Sequence, residues 1–230
     1  MGRMPSERQE RSRPAVKPAR RPELRLPPLR PYGEGELTPD GDYDGLIFEG
    51  TDLSAAEGPG ARFLDCALED CALDGTVLRN ARFLDSRLSG VRGVGTDLSG
   101  AALRDVELVD ARLGGAQLHG AVLERVLISG GKVDFLNLRA AKLRDVVFEG
   151  VVLDEPDFGG ASLERVTFHD CTLRAADLTG VRLKDVDLRG AARIDIARGV
   201  DRLAGAVISP AQLLDLAPVF AAAVGVRVEA

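Results

Sequence analysis

Large apolar residues recur at every fifth position of this chain across more than half of its length. Leu or Phe fills 25 of the 29 positions whose numbers end in 3 or 8 between Phe48 and Leu188, without one insertion or deletion. The exceptions are Gly58, Gly93, Ile128 and Val133. A small residue stands two places before most of these positions, and the other three places are mostly polar, charged or Gly. Each unit is therefore small–polar–large–polar–polar.

A period of five suits neither a helix face, which repeats every 3.6 residues, nor a strand face, which repeats every 2. It suits a chain that turns a corner after every unit, so that four units close a square coil. Stacked coils can pair their backbones at about 4.8 Å, as in a β-sheet. Glycine, frequent in the last place of the unit, suits corners with a positive φ. Residues 20 apart then stack, which brings Phe63 to Phe83 and Phe148 to Phe168.

Single units resemble a known repeat. Residues 176–180 (ADLTG) and 96–100 (TDLSG) are similar to the unit A-(D/N)-L-x-x of the pentapeptide repeat proteins, and the resemblance covers about 46–190. It implies an all-β fold, a right-handed quadrilateral β-helix. With four units per coil, we expect about seven coils stacked over roughly 35 Å.

The composition changes at both ends of the repeat. Residues 1–31 hold nine Lys or Arg, three Glu and seven of the twelve prolines, which predicts a disordered basic tail. Residues 32–45 are acidic and rich in Gly, which predicts a linker. The β-helix is predicted over 46–208, and a C-terminal helical cap and dimerisation segment over 209–230.

Three positions break the apolar pattern. Gly58 and Gly93 leave gaps among the large residues, and residues 54–60 have the composition of a loop. Pro156 occupies a small inward position without a backbone donor, which predicts a kink or bulge there. The alternative is that all three are tolerated defects in a continuous coil, and the sequence favours it.

A helix is predicted after the repeat. Ser209 is suited to the N-cap, Pro210 to the first helical position and Gln212 to the capping box, while Pro218 should kink the helix. One helical stripe would cover the last coil: Leu213, Leu216, Ala217, Phe220 and Val224. The end of the chain is similar to that of the dimeric, gyrase-protecting members of the family. The resemblance implies a homodimer through apolar residues of this segment: Leu213, Leu214, Leu216, Val219 and Phe220.

Candidate chemistry is sparse. His169, Asp170 and Cys171 are adjacent, but the repeat points Cys171 inward and the other two outward, so no nucleophile–base pair forms. We expect no catalytic residues, no metal site, no cofactor and no small-molecule substrate. The three cysteines give no disulfide framework, and no apolar run reaches the 18 residues of a membrane helix. We therefore expect a cytoplasmic protein.

Outward charges sort onto walls of the predicted coil. One wall collects eight acidic residues against only Arg87 and Arg189. This candidate partner-binding wall comprises Glu49, Glu69, Asp70, Glu107, Asp110, Glu149, Asp170 and Asp187. The neighbouring wall has mixed charge. Such charges serve solubility in many proteins, so charge alone does not make this wall a binding surface.

The predicted function is protein binding by a rigid, non-enzymatic scaffold whose partner the sequence does not identify. The family resemblance adds an alternative, a DNA mimic that binds DNA gyrase or topoisomerase IV and protects it from quinolone-type inhibitors. A second alternative rests on the basic tail, which could contact nucleic acid or an anionic membrane. The same tail could instead fold back on the acidic wall of its own coil.

Overall fold

As far as Asp185, the corners of the coil lie where the five-residue repeat predicts them. The computed structural model describes residues 16–33 and 35–228. Each residue whose number ends in 0 or 5, from Asp40 to Asp185, adopts a positive φ. Many of these corners hold Asp or Asn, which tolerate the left-handed region better than other side chains because they can hydrogen-bond locally.

Short parallel strands form the sides of the coil. They are β1 (Arg30–Pro31), β2 (Asp42–Asp44), β3 (Leu46–Glu49), β4 (Arg62–Leu64), β5 (Ala67–Glu69), β6 (Arg82–Ser89), β7 (Arg92–Val94), β8 (Ala102–Val109), β9 (Arg112–Gly114), β10 (Val122–Ser129), β11 (Lys132–Asp134), β12 (Lys142–Glu149), β13 (Val152–Asp154), β14 (Ser162–His169), β15 (Thr172–Asp177), β16 (Arg182–Gly190), β17 (Arg193–Arg198) and β18 (Ala206–Val207). A 3-10 helix (Val200–Arg202) and one α-helix, α1 (Pro210–Ala223), follow the repeat.

Residues 20 apart pair in register, which confirms four units per coil. Val122 lies beside Ala102 and Lys142, for example, and each pairing is parallel. The strands that span two consecutive sides form one long sheet, and the odd-numbered strands from β7 to β17 form a second sheet on the third side. The fourth side is a column of isolated bridges that runs from Glu57 to Asp177. The fold is therefore a four-sided parallel β-helix.

The solenoid is longer than the sequence predicts, with about nine turns in place of about seven. Ten strands follow one another along the long sheet, from β1 to β18. Nine steps of about 4.8 Å give roughly 43 Å. The difference arises because β1 pairs with β3 above the gapless repeat, and β18 pairs with β16 below it.

Inward side chains form one continuous core. The ring of Phe63 stacks on that of Phe83 with centroids 4.5 Å apart, and Phe148 stacks on Phe168 at 4.7 Å, as the 20-residue coil predicts. Phe48, which lacks such a phenylalanine neighbour, stacks on Tyr32 at 4.1 Å. Aromatic rings thus extend the core into the N-terminal end of the coil.

The gap at Gly58 has an occupant. Leu37, only 5% exposed, packs there, and a Cβ added to Gly58 would lie 3.3 Å from the Cβ of Leu37. Residues 54–60 form a regular side of the coil, since Glu57 bridges Val77. The loop suggested by the composition of this stretch is therefore absent, because an inserted side chain from upstream replaces the missing one.

The other two irregularities are absorbed without a kink. A Cβ on Gly93 would meet the backbone carbon of Leu73 at 2.7 Å, so the close approach of two coils requires glycine. The position of Pro156 normally donates only a turn hydrogen bond, as Thr76 does to the Leu73 carbonyl. The proline therefore removes no bond between coils, and the bridges through Asp157 continue on both sides.

Helix α1 caps the last coil on a different face from the predicted stripe. Ser209 and Gln212 form the expected capping box, and the helix continues through Pro218. Leu213, Ala217 and Val224 are exposed, whereas the side facing the core presents Gln212, Leu216, Val219 and Phe220. Gln212 causes the rotation, because its Nε2 donates to the carbonyls of Leu188 at 2.8 Å and Ala191 at 3.0 Å.

Residues 16–33 lie in extended conformation along one long edge of the solenoid. The composition predicted a disordered tail over 1–31, of which 1–15 lie outside the described residues. Residues 17–31 instead contact coils from Asp185 up to Leu46. Carboxylates of the coil, among them Asp185 and Asp145, accept hydrogen bonds from this segment. Among the residues that the structure describes, no helix has the length and hydropathy needed to cross a membrane.

Candidate functional site

The acidic residues predicted to share a wall lie on one side of the solenoid, here called the acidic wall. Five are in strands of the long sheet and three are at its corners, at Asp70, Asp110 and Asp170. Glu49 and Glu69 are direct neighbours in the parallel ladder of β3 and β5. Because the two carboxylates are adjacent, they give the upper end of the wall a concentrated negative charge. Like charges in such a position destabilise a sheet.

Arginine neutralises part of this wall. Arg87 contacts Glu107 at 2.8 Å, and Arg189 contacts Asp187 at 2.7 Å. The bonds from Arg189 hold the pKa of the Asp187 carboxyl below its usual range. Arg21, from the N-terminal segment, contacts Glu149 at 2.9 Å. Within the described part of the chain, five wall carboxylates have no Lys or Arg ion pair: Glu49, Glu69, Asp70, Asp110 and Asp170.

A second acidic feature was missed by the sequence analysis. The edge between the acidic wall and the mixed wall, here called the acidic edge, is a column of corners with positive φ: Asp65, Asp85, Asp105, Arg125, Asp145, Arg165 and Asp185. Burial, together with the charges of Asp105 and Asp65, raises the pKa of the Asp85 carboxyl. The signal was present in the sequence as aspartates 20 residues apart, in a corner column that the sequence analysis did not count with the acidic wall.

Two arginines of the acidic edge form matching clusters. Arg125 donates to both carboxylate oxygens of Asp105, at 2.6 and 2.7 Å, and Arg165 donates to both of Asp145, at 2.7 and 2.8 Å. Bidentate pairs of this kind are among the strongest hydrogen bonds in proteins. The side chain of Asp105 remains 19% exposed, whereas that of Asp145 is completely buried.

The extra burial of Asp145 coincides with a contact from the N-terminal segment. Arg20 donates to Asp145 from its backbone nitrogen at 3.2 Å and from its guanidinium at 3.0 and 3.3 Å. The bonds from Arg165, with those from Arg20, hold the pKa of the Asp145 carboxyl far below its usual range even though burial opposes this shift. The described part of the basic tail thus lies on its own coil, the fold-back arrangement considered above.

The His169-Asp170-Cys171 triplet does not form a reactive site. The Cys171 thiol is buried and donates to the His169 carbonyl at 3.2 Å, while the imidazole is half-exposed and lies 3.2 Å from the Asp170 carboxylate. Burial raises the pKa of the Cys171 thiol, which disfavours the nucleophilic thiolate. In the described residues, no group of three or more His, Cys, Asp or Glu side chains could hold a metal ion.

Helix α1 carries the residues predicted for a dimer, and it divides them. Leu216 is buried on the last coil, and Val219 and Phe220 pack against the same core. Leu213 and Leu214 face outward, with Leu214 75% exposed. Of the five predicted residues, these two are exposed, Val219 and Phe220 are partly buried, and Leu216 is fully buried.

Comparison with known families agrees with the coil geometry. Residues 61–138 match the family described as a pentapeptide repeat region, and residues 136–170 and 168–191 match pentapeptide repeats in eight copies. These matches together cover more than half of the chain. The chain belongs to the pentapeptide repeat family. A search of curated proteins found no match.

Solved structures also match this chain, at low identity and low structural overlap. A trypsin-treated form of QnrB1, a plasmid-mediated fluoroquinolone resistance protein, is 21% identical over 87% of this chain and 96% of its own, with a TM-score of 0.45. HetL, involved in heterocyst differentiation regulation in the cyanobacterium Nostoc sp. strain PCC 7120, is 21% identical over 76% and 92%, with a TM-score of 0.31. Rfr23 from the cyanobacterium Cyanothece 51142 is 17% identical over 69% and 87%, with a TM-score of 0.21. At identities this low, the likeness says nothing about a shared partner.

Proposed function

We propose that this pentapeptide repeat protein acts by binding another protein, with the acidic wall as its contact surface. The observation that carries the proposal is the set of five wall carboxylates without a Lys or Arg ion pair in the described residues, on a face with regular strand spacing. Fixed charges on a rigid sheet lose little conformational freedom on binding, and they attract a basic surface from a distance.

The test compares two variants of equal charge. The wall variant carries Glu49→Gln, Glu69→Gln, Asp110→Asn and Asp170→Asn. The matched variant carries four neutral substitutions on the third and fourth sides, all at exposed positions: Asp52→Asn, Glu57→Gln, Asp74→Asn and Glu155→Gln. Asparagine keeps the local side-chain acceptor at Asp52 and Asp74, which bond the backbone nitrogens of Ser54 and Val94.

Each variant and the wild type would be used to retain proteins from the extract of the native cell, with quantitative mass spectrometry as the readout. We expect a protein that the wild type and the matched variant retain equally and that the wall variant loses. Equal retention by all three would refute the acidic wall as the contact surface, because the two variants differ only in where the charges were removed.

A second part of the proposal is a homodimer through residues 209–228. The supporting observation is the pair of exposed leucines, Leu213 and Leu214, on a helix whose opposite side is already used as the cap. Light scattering should give twice the monomer mass for the wild type and the monomer mass for Leu213→Lys/Leu214→Lys. A wild-type protein at the monomer mass would refute the dimer.

A second candidate partner is a type II topoisomerase, DNA gyrase or topoisomerase IV. The acidic wall favours it, since such an enzyme binds the negatively charged surface of DNA. The mixed wall and the arginines on Glu107, Glu149 and Asp187 weigh against it, because they reduce the resemblance to DNA. A gyrase supercoiling assay with and without a fluoroquinolone tests this candidate. Protection should appear with the wild type and disappear with the wall variant, and no effect at micromolar protein would discard it.

A further inference from the structure

The N-terminal segment crosses most of the solenoid against the direction of the coils. Lys17 donates its backbone nitrogen to Asp185 at 3.4 Å, and Arg20 lies two coils higher, on Asp145. The segment then passes the acidic edge at Asp105 and ends in β1, whose Arg30 nitrogen donates to the Gly45 carbonyl at 2.9 Å. Residues 17–29 of this segment are here called the strap.

The strap binds the coil through side chains, with little backbone pairing. Between residues 16 and 31 stand five Lys or Arg, one Glu and five prolines, so many backbone positions have no N–H to donate. Its apolar residues alternate toward the solenoid: Pro22 is buried, and Leu24, Leu26 and Leu29 are half-buried. This is the recognition pattern of an extended peptide, with apolar side chains in contact and guanidinium groups on fixed carboxylates.

Two features indicate that the strap can leave. The side chains of Arg20 and Arg21 are 62% and 53% exposed, and an exposed ion pair such as Arg21–Glu149 contributes only about 0–1 kcal/mol and weakens with salt. The matching cluster of Asp105 and Arg125 keeps the same internal bonds without Arg20. The Asp145 cluster is therefore complete without the strap, and release of the strap would expose the Asp145 carboxylate, still bonded to Arg165, to solvent.

We propose that the strap occupies in cis a binding site for an extended, arginine-bearing peptide segment, and that it must be displaced before a partner protein can reach the acidic edge. The proposal rests on the proposed function, since it describes how a basic partner segment gains access beside the acidic wall. The strap holds the site because it is tethered at β1, which gives it a high effective concentration.

The test uses full-length protein and a fluorescein-labelled synthetic peptide with the sequence of residues 16–31, followed by fluorescence anisotropy. Arg20→Ala/Arg21→Ala removes the two guanidinium contacts of the strap without changing the coil. Arg112→Ala/Arg193→Ala removes the same charge at exposed positions on the third side. We expect the strap variant to bind the peptide at least about tenfold more tightly than the wild type, which corresponds to a site covered about 90% of the time. The control variant should equal the wild type, and the affinity of the strap variant should fall as salt rises.

Two further substitutions locate the binding. Adding either Asp145→Asn or Glu149→Gln to the strap variant should remove most of the gain in peptide affinity. Glu149 lies on the surface, so Glu149→Gln keeps the test valid if the Asp145 variant folds poorly. Equal peptide binding by the wild type and the strap variant overturns the proposal, as does a gain that survives both substitutions. The peptide is the chain's own sequence, so this outcome is independent of the search for a partner. If only the search for a partner protein fails, the proposal for the strap is unaffected. If only the peptide assay fails, with equal binding by the wild type and the strap variant, the proposal for the acidic wall is unaffected.

Discussion

The packing of Leu37 into the gap at Gly58 makes a prediction that depends on both residues together. Leu37→Ala should leave a cavity that costs about 2–3 kcal/mol, because the side chain is 5% exposed and buried Leu→Ala changes cost at least that much. Gly58→Leu alone should cost about 1–3 kcal/mol, since even its Cβ would lie 3.3 Å from that of Leu37. In the double variant the new leucine takes the vacated space and restores the repeat's large residue. The double variant should therefore lose less free energy of unfolding than the two single variants together, by about 2 kcal/mol or more.

Tyrosine fluorescence provides a local assay. The chain has no Trp and only two Tyr, and Tyr32 and Tyr43 both lie against Phe48 at the N-terminal end of the core. Urea unfolding followed by tyrosine fluorescence reports this end, while far-ultraviolet circular dichroism reports the whole solenoid. Asp215→Asn, at an exposed position of the opposite end, serves as the control. The loss in free energy of unfolding of the double variant is obtained from the fluorescence transition. If it equals the sum of the two single losses, the packing described for Leu37 is refuted.

Three further predictions concern the edge, the cap and the thiols. Asp145→Asn should lower the free energy of unfolding by about 2–3 kcal/mol at neutral pH. The pKa of this carboxyl is lowered on folding, so this loss of free energy should depend on pH. In urea titrations it should be constant above about pH 5 and shrink as the pH falls below about 4. A difference that does not shrink between about pH 4 and pH 2 would contradict the assignment. Gln212→Ala should cost about 1–2 kcal/mol in thermal unfolding, since carbonyls of the last coil lose their donor. Asp215→Asn, at an exposed position of the same helix, should have little effect, and equal melting of both variants would contradict the capping role. Burial raises the thiol pKa of all three cysteines, Cys66, Cys71 and Cys171. They should therefore react with Ellman's reagent at pH 8 only as the protein unfolds. Fast labelling of the folded protein would contradict their burial.

The repeat itself could be predicted from the sequence because its information is local. The side of the coil to which a residue belongs follows from its number alone, so the corners, the stacked pair Phe63 and Phe83, and the common wall of Glu49 and Glu69 follow from counting. The length of the solenoid does not follow in this way. Residues 30–31 and 206–207 extend the sheet by backbone pairing, which any sequence can supply if it has no proline at a position that must donate.

The ends and the strap depend on contacts between distant residues. Leu37 fills the space at Gly58, and Arg20 bonds Asp145 from 125 positions away in the chain. The composition of residues 16–31 is that of a disordered segment, and only the stacked coils bring the carboxylates that order it into one column. Helix α1 shows the same limit, since the hydrogen bonds of Gln212 to the last coil decide which helix face is buried.

The central claim is that the acidic wall carries the binding of a partner protein. The most direct test is calorimetric measurement of the affinity of the retained protein for the wild type, the wall variant and the matched variant at one salt concentration. The account predicts that the wall variant binds at least about tenfold more weakly, a difference of about 1.4 kcal/mol, and that the matched variant binds as the wild type does. Equal affinities for all three proteins would contradict the claim.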